Sequence, residues 1–383
     1  MRPEAIANPA LTYRRLHEHG DPYHCEHRDL WILASYDHVR AALREHAVFS
    51  SADGITQLRA SLPMMITMDE PEHARLRRLV APYFTAESAS RARPAMERVT
   101  DACIDRMLSA PVTDAIAELA IPLPVRVIAA QLGIPGEDFA RFREWSDAIV
   151  RGFNGGPPLR TLAASPPVLH GVHALHRYLR KQLRHREAGG DDVLSLLLAR
   201  TRTGELTEGE LFWFVLLLLV AGNETTTNLI GSMLLALAEQ PDTYEAARAN
   251  RSVVSSLVAE SLRWSSPLQN LFRTSRCDHE VGGTVIPAGA RVLVSFAAAN
   301  RDPNRYPDPD RFVAERGATD HLAFGGGIHF CLGAQLARLE ATVVLEALLE
   351  RVQAIELATE PTWSDNVALR GPTRLPLRLT AAA

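Results

Sequence analysis

The chain has 383 residues, 46% hydrophobic and 22% charged, enough to bury a large core, and its length suits one large domain spanning 1–383. A formal net charge of −4 gives no reason to expect nucleic acid or an anionic membrane surface as a partner. Four dispersed cysteines with no C-x-x-C pair suggest neither a disulfide framework nor a zinc ribbon.

The first twenty residues contain no apolar run, so neither a secretory signal nor a membrane anchor is expected, and the chain is expected in the cytoplasm. "LWILASYDHV" predicts the first strand. Helical patterns follow over residues 69–84, 92–108, 139–151, 173–187, 192–200, 208–240, 243–250 and 252–264. The Gly- and Pro-rich "GFNGGPPLRTLAASPP", residues 152–167, reads as a mobile loop between two of these helices. "HEVGGTVIPAGARVLVS" reads as a hairpin turning at Gly282 and Gly283. Strands are few and lie near the two ends, which predicts a mainly α protein with small β-sheets.

The helix over 208–240 is apolar on all faces in its first half and should run through the middle of the protein. Thr207 and Glu210 form a capping-box pattern at its start, and Gln240-Pro241 marks its stop. In its middle, "AGNETTTN" sets Glu224 among threonines. A charged, unpaired Glu there would cost several kcal/mol, so it needs water, a partner or a task. Either threonine hydroxyls and backbone satisfy it at a bend, or it relays protons beside a cavity that Gly222 lets a ligand approach.

"FGGGIHFCLGAQLARLE" places Cys331 on a glycine turn at the start of another helix. The exposed N–H groups of a helix N-terminus favour a thiolate, and Gly325, Gly326, Gly327 and Gly333 allow such groups to converge on sulfur. A buried, inert thiol is the alternative. No other cysteine has the spacing for zinc, and a metal that accepts one protein ligand is one already held in a macrocycle.

These segments resemble the cytochrome P450 family. The cysteine segment fits F-G-x-G-x-H-x-C-x-G, and "AGNETTT" resembles the mid-helix oxygen-activation motif, with Glu224 and Thr225 at its acid and alcohol positions. "ESLR", with Glu260 and Arg263, is similar to the E-x-x-R helix, and "PDPDRF" to the meander, where Arg311 would complete a buried Glu-Arg-Arg network. His73 and Arg77 resemble the H-x-x-x-R propionate clamp, with Arg273 and His329 at the other matching positions. The resemblance runs over almost the whole chain.

The resemblance implies a triangular fold with haem b buried between the long helix and the helix after Cys331. Cys331 would be the axial iron ligand, and Phe324, Gly325 and Gly333 would shape its loop. Glu224 would relay protons, with Thr225 holding the oxygen species and waters. The implied activity is insertion of one oxygen atom of O2 into an apolar or aromatic small molecule, with hydroxylation expected. Met65, Val220, Ala221, Leu268, Asn270 and Val367 are the substrate-pocket candidates by family position. No reductase segment follows Ala383, so electrons are expected from a separate ferredoxin or flavodoxin type donor, to a monomer. Arg75 and Arg78, pointing away from the clamp face, could meet an acidic donor. Two alternatives are a hydrogen peroxide-dependent peroxygenase and a non-catalytic binding module of the same fold.

Overall fold

A computed structural model describes residues 7–57, 59–153, 158–186, 190 and 192–382. Its helices are α1 (Ala10–Glu18), α2 (Tyr36–Arg44), α3 (Glu72–Val80), α4 (Ala86–Leu108), α5 (Pro122–Gln131), α6 (Phe139–Phe153) and α7 (Pro158–His185). They continue as α8 (Val193–Arg202), α9 (Glu208–Glu239), α10 (Pro241–Ala249), α11 (Val254–Ser265), α12 (Phe296–Ala299) and α13 (Ala334–Arg351).

The strands are small and mostly terminal, as expected. The largest sheet joins β1 (Tyr23–Cys25), β2 (Leu30–Leu33), β3 (Phe49–Ser50), β5 (Asn270–Ser275) and β8 (Arg291–Ser295) in the order β1-β2-β8-β5-β3. A second sheet pairs β4 (Thr113–Asp114) and β9 (Val352–Leu357) on either side of β12 (Pro376–Ala381). The hairpin is β6 (His279–Val281) and β7 (Thr284–Ile286), with both turn glycines at positive φ, the conformation a two-residue hairpin of this type requires. A last pair joins β10 (Thr362–Trp363) to β11 (Pro372–Arg374).

Three expectations change. The strand expected over "LWILASYDHV" is β2, preceded by the unexpected β1, and it stops at Leu33, because Ser35 and Asp21 end it and "YDHV" opens α2. α4 starts at Ala86, earlier than the apolar pattern, because the Thr85 hydroxyl caps it by accepting from the Ser88 amide. Much of the expected loop over 152–167 is helix, since α7 begins at Pro158 and carries Pro166 and Pro167 inside it, while residues 154–157 lie outside the described residues.

Helix α9 organises the interior. Its capping box is formed, with Thr207 accepting from the Glu210 amide at 3.1 Å and Glu210 accepting from the Thr207 amide at 2.8 Å. By length and hydropathy it could cross a membrane, but 67% of its apolar window is buried inside the protein, which makes it a core helix. Its second half is the more deeply buried: Leu229, Ile230, Met233 and Leu234 pack with Ile104, Leu119, Val344 and Leu348 from α4, the turn before α5, and α13. Its first half packs with α5, α7 and α8 through Leu216, Leu219, Ile128, Leu175 and Leu197. Burial on both sides leaves the stretch around Ala221, which is exposed, as the break in the core.

Candidate functional site

The cysteine loop is built by backbone geometry. The Cys331 amide donates to the Phe324 carbonyl at 2.9 Å, closing the turn, and α13 starts three residues after Cys331 with Gly333 as its cap. Gly325 and Gly327 take positive φ. At Gly327 a Cβ would also lie 2.0 Å from the Leu43 carbonyl oxygen, so only glycine fits there. Gly326 is extended, a conformation open to any residue. Phe324 braces the loop, meeting the Phe330 ring edge-on at 6.4 Å and lying under the Arg338 guanidinium, whose carbon is 4.6 Å from the ring centre.

Of the glycine amides expected to converge on sulfur, that of Gly333 does so. This hydrogen bond and the charges of Arg77 and Arg338 favour the thiolate, yet burial outweighs them and pushes the Cys331 thiol above its ordinary value. A bound cation would supply the charge that deprotonates it.

Four side chains, from α3, β5 and the cysteine loop, gather beside it. His73 on α3 is buried, and its ring meets that of His329 edge-on at 4.5 Å. Arg77, one turn along α3, donates from Nη2 to the Phe330 carbonyl at 2.7 Å. Arg273 on β5 is 3% exposed and donates to the Phe272 carbonyl at 2.9 Å. His329 Nε2 lies 3.2 Å from the Ser51 hydroxyl, and the Ser51 amide is itself held by Asp69 at 3.0 Å.

The electrostatics of this group are unbalanced. Burial and then the Arg77 charge hold His73 below its ordinary value, while burial, Arg273, His73 and Arg77 together hold His329 far below it. Burial, helped by the Arg291 charge, lowers Arg273 to about 10, against some attraction from Asp69. His73 Nδ1 is buried without a hydrogen-bond partner; the nearest acid, Glu70, stands 4.0 Å away. Such a cluster requires an anionic partner with several acceptors. The two carboxylates of a haem would fit that requirement, with the Cys331 sulfur beside them as the group that would bind its iron. Among the described residues, no three His, Cys, Asp or Glu side chains gather to hold a bare metal ion.

On α9, the Thr225 hydroxyl donates to the Ala221 carbonyl at 2.7 Å, and the Thr227 hydroxyl to the Ala120 carbonyl at 3.0 Å. The threonines therefore do not satisfy Glu224. Its Oε2 is buried without a partner, and burial raises its carboxyl to about 7. A carboxyl of that acidity exchanges its proton at neutral pH.

The Glu-Arg-Arg network exists, with one member corrected. Arg263 and Glu260 are fully buried and paired through two bonds, Nε to Oε2 and Nη2 to Oε1, each 2.8 Å. The third member is Arg316, whose Nε donates to Glu260 Oε1 at 3.2 Å and whose side chain is 11% exposed. Arg311 points outward toward Asp308, and only its carbonyl joins, accepting from Arg263 Nη2 at 3.0 Å. The reason is the turn: Asp308 takes positive φ and the chain then curls through Ala314–Arg316, carrying the later arginine inward.

The pocket candidates fall into two groups. Leu268 bridges to Leu369, and Asn270 Nδ2 donates to the Val367 carbonyl at 3.0 Å, which joins the strand after α11 to the segment before β11. Met65 and Val220 pack in the cluster around the first half of α9, with Leu76, Val80 and Ile128. Ala221 is exposed one residue further along. Arg75 and Arg78 are both exposed, and Arg75 is paired with Glu210.

The sequence and the fold are similar to those of known proteins. The family model described as cytochrome P450 matches residues 174–366. The chain is 38% identical over 385 residues to a beta-dihydromenaquinone-9 omega-hydroxylase of Mycobacterium tuberculosis, covering 99% of this chain and 77% of that one. It is 38% identical to the cytochrome P450 monooxygenase PikC of Streptomyces venezuelae, covering 97% of this chain and 91% of that one. The structure of cytochrome P450 CYP109Q5 from Chondromyces apiculatus superposes with a TM-score of 0.88 at 36% identity, covering 100% of this chain and 97% of the other.

Proposed function

The chain belongs to the cytochrome P450 family and is a monooxygenase, an oxidoreductase; from the site described above we propose that Cys331 holds haem b as its axial thiolate and that the substrate is an apolar or aromatic small molecule, hydroxylated with one atom of O2. The observation that carries this reading is the convergence of His73, Arg77, Arg273 and His329, short of acidic partners, beside the Cys331 sulfur. When bound, the haem supplies electron transfer and O2 activation, with the thiolate pushing electron density toward iron and favouring O–O cleavage.

The chain's own residues have narrower tasks. His73, Arg77, Arg273 and His329 hold the propionates and orient the macrocycle. Glu224 takes up and releases a proton at Oε2 near neutral pH, in a site whose burial shields that proton from bulk water. The Thr225 hydroxyl, with its hydrogen directed at the Ala221 carbonyl, keeps its oxygen lone pairs available to order a donor brought by Glu224. Glu260, Arg263 and Arg316 tie α11 to the segment that leads into the cysteine loop, and their role is structural. Electrons come, in this reading, from a separate ferredoxin or flavodoxin type protein, to a cytoplasmic monomer.

The test uses an apolar compound chosen by its effect on the haem spectrum, a surrogate ferredoxin with its reductase, and 18O2. The product is expected to carry one 18O atom. Product formation that runs on hydrogen peroxide and gains nothing from the electron donor would overturn the reading in favour of a peroxygenase.

A further inference from the structure

A cleft of about 200 Å³ opens between α11, α13 and the turn at 319–321, lined by Ser255, Val258, Ala259, Thr319, His321, Arg338 and Thr342. Helical spacing explains the grouping. Ser255, Val258 and Ala259 share one face of α11, and Arg338 and Thr342 share one face of α13. Ser255 and Thr319 are exposed at the rim, while Arg338 and Thr342 are half-buried and His321 is 7% exposed.

A buried donor of this cleft stands without an acceptor. The Nδ1 of His321 accepts from the Ala323 amide at 3.3 Å, which places the ring hydrogen on Nε2, and Nε2 is buried with no partner. Arg338 forms no ion pair with an acidic side chain among the described residues; its guanidinium lies over the Phe324 face. Asp320, beside His321 in sequence, is turned to Arg305 at 3.0 Å and Tyr306 at 3.1 Å. A buried imidazole donor, a guanidinium and three hydroxyls with no carboxylate among them form a site for an anion rich in acceptor oxygens.

We propose that this cleft binds a small oxyanion of the phosphate class, held by Arg338, the Nε2 hydrogen of His321 and the hydroxyls of Thr342, Ser255 and Thr319. Its volume is several times the roughly 30 Å³ of a water molecule, which leaves room for a tetrahedral anion and its first waters. The site is separate from the cationic cluster at His73 and Arg273, and it does not depend on the nature of the substrate.

Calorimetric titration of the haem-loaded ferric protein with inorganic phosphate, against chloride at equal ionic strength, tests it; the loaded form keeps the propionate cluster occupied. A saturable heat of one equivalent is expected, weakened at least about tenfold in Arg338→Gln, as loss of a charge-assisted contact requires. Methyl phosphate in a parallel titration separates a site that accepts esterified phosphate from one restricted to the free ion. No saturable heat through the tens-of-millimolar range, or equal affinity in Arg338→Gln, would overturn the proposal. Should that variant fail to fold, the Ser255→Ala, Thr342→Val double variant decides: weaker binding upholds the site, and unchanged affinity removes it.

Discussion

Exchanging Arg316 and Arg311 for alanine, one at a time, separates the arginine that enters the buried network from the one that stays outside. Glu260 is fully buried and its Oε1 accepts three bonds, from Arg263 Nη2 at 2.8 Å, the Val313 amide at 2.9 Å and Arg316 Nε at 3.2 Å. Arg316→Ala removes a charge-assisted bond to a dry carboxylate, together with donors to the Pro307 and Asp308 carbonyls, but leaves the Arg263 pair intact. Hydrogen bonds to charged groups contribute about 1.5–3 kcal/mol, so a loss of about 2 kcal/mol is expected. Arg311→Ala removes an exposed side chain whose acidic neighbour Asp308 is 3.9 Å away and equally exposed, and such pairs contribute about 0–0.5 kcal/mol. Glu260→Ala strands Arg263 in the core and should cost about 3–5 kcal/mol. Urea unfolding of the haem-loaded proteins, followed by Soret absorbance and far-ultraviolet circular dichroism, should order the midpoints wild type, R311A, R316A, E260A from high to low. An Arg311→Ala midpoint at or below that of Arg316→Ala would refute the assignment.

Three further outcomes follow from the same structure. Thr225→Ala should increase the electrons consumed per product formed, read as cofactor oxidised against product by chromatography; unchanged coupling would remove Thr225 from the proton path. Burial raises the Glu340 carboxyl to about 8, and its Oε2 has no partner, so its folded value lies above its unfolded value of 4.5. Stability from this group is therefore full below pH 4.5 and lost as pH rises toward 8, and Glu340→Gln should flatten that decline by a few kcal/mol; a parallel pH profile would contradict it. Gly325→Ala meets no close atom and should cost about 1 kcal/mol of backbone strain, whereas Gly327→Ala drives a Cβ into the Leu43 carbonyl and should abolish haem retention; equal haem content in the two variants would contradict the loop geometry.

Features set by local chemistry were legible in the sequence. The capping box at Thr207, the paired glycines of the hairpin and the i, i+4 placement of His73 and Arg77 depend on neighbours a few residues away, and each forms as read. What escaped depends on where distant segments return. Arg316 enters the network only because the turn at Asp308 swings it there, so motif spacing pointed to Arg311 instead. Ser51, which holds His329 from 278 residues away, carries no local signal. The strand Val352–Leu357 follows α13 without glycine or proline, and Pro166 and Pro167 sit within α7 where they read as breakers. Arg338, which closes over Phe324 from the second turn of α13, meets that ring only because the cysteine loop folds back against the helix.

The most direct test of the account is the absorption spectrum of the reduced protein under carbon monoxide, for wild type and Cys331→Ala. Haem ligated by the Cys331 thiolate predicts a long-wavelength Soret band in the wild type that is absent in the variant. A band that persists in the variant, or a wild-type protein that takes up no haem on reconstitution, would contradict it.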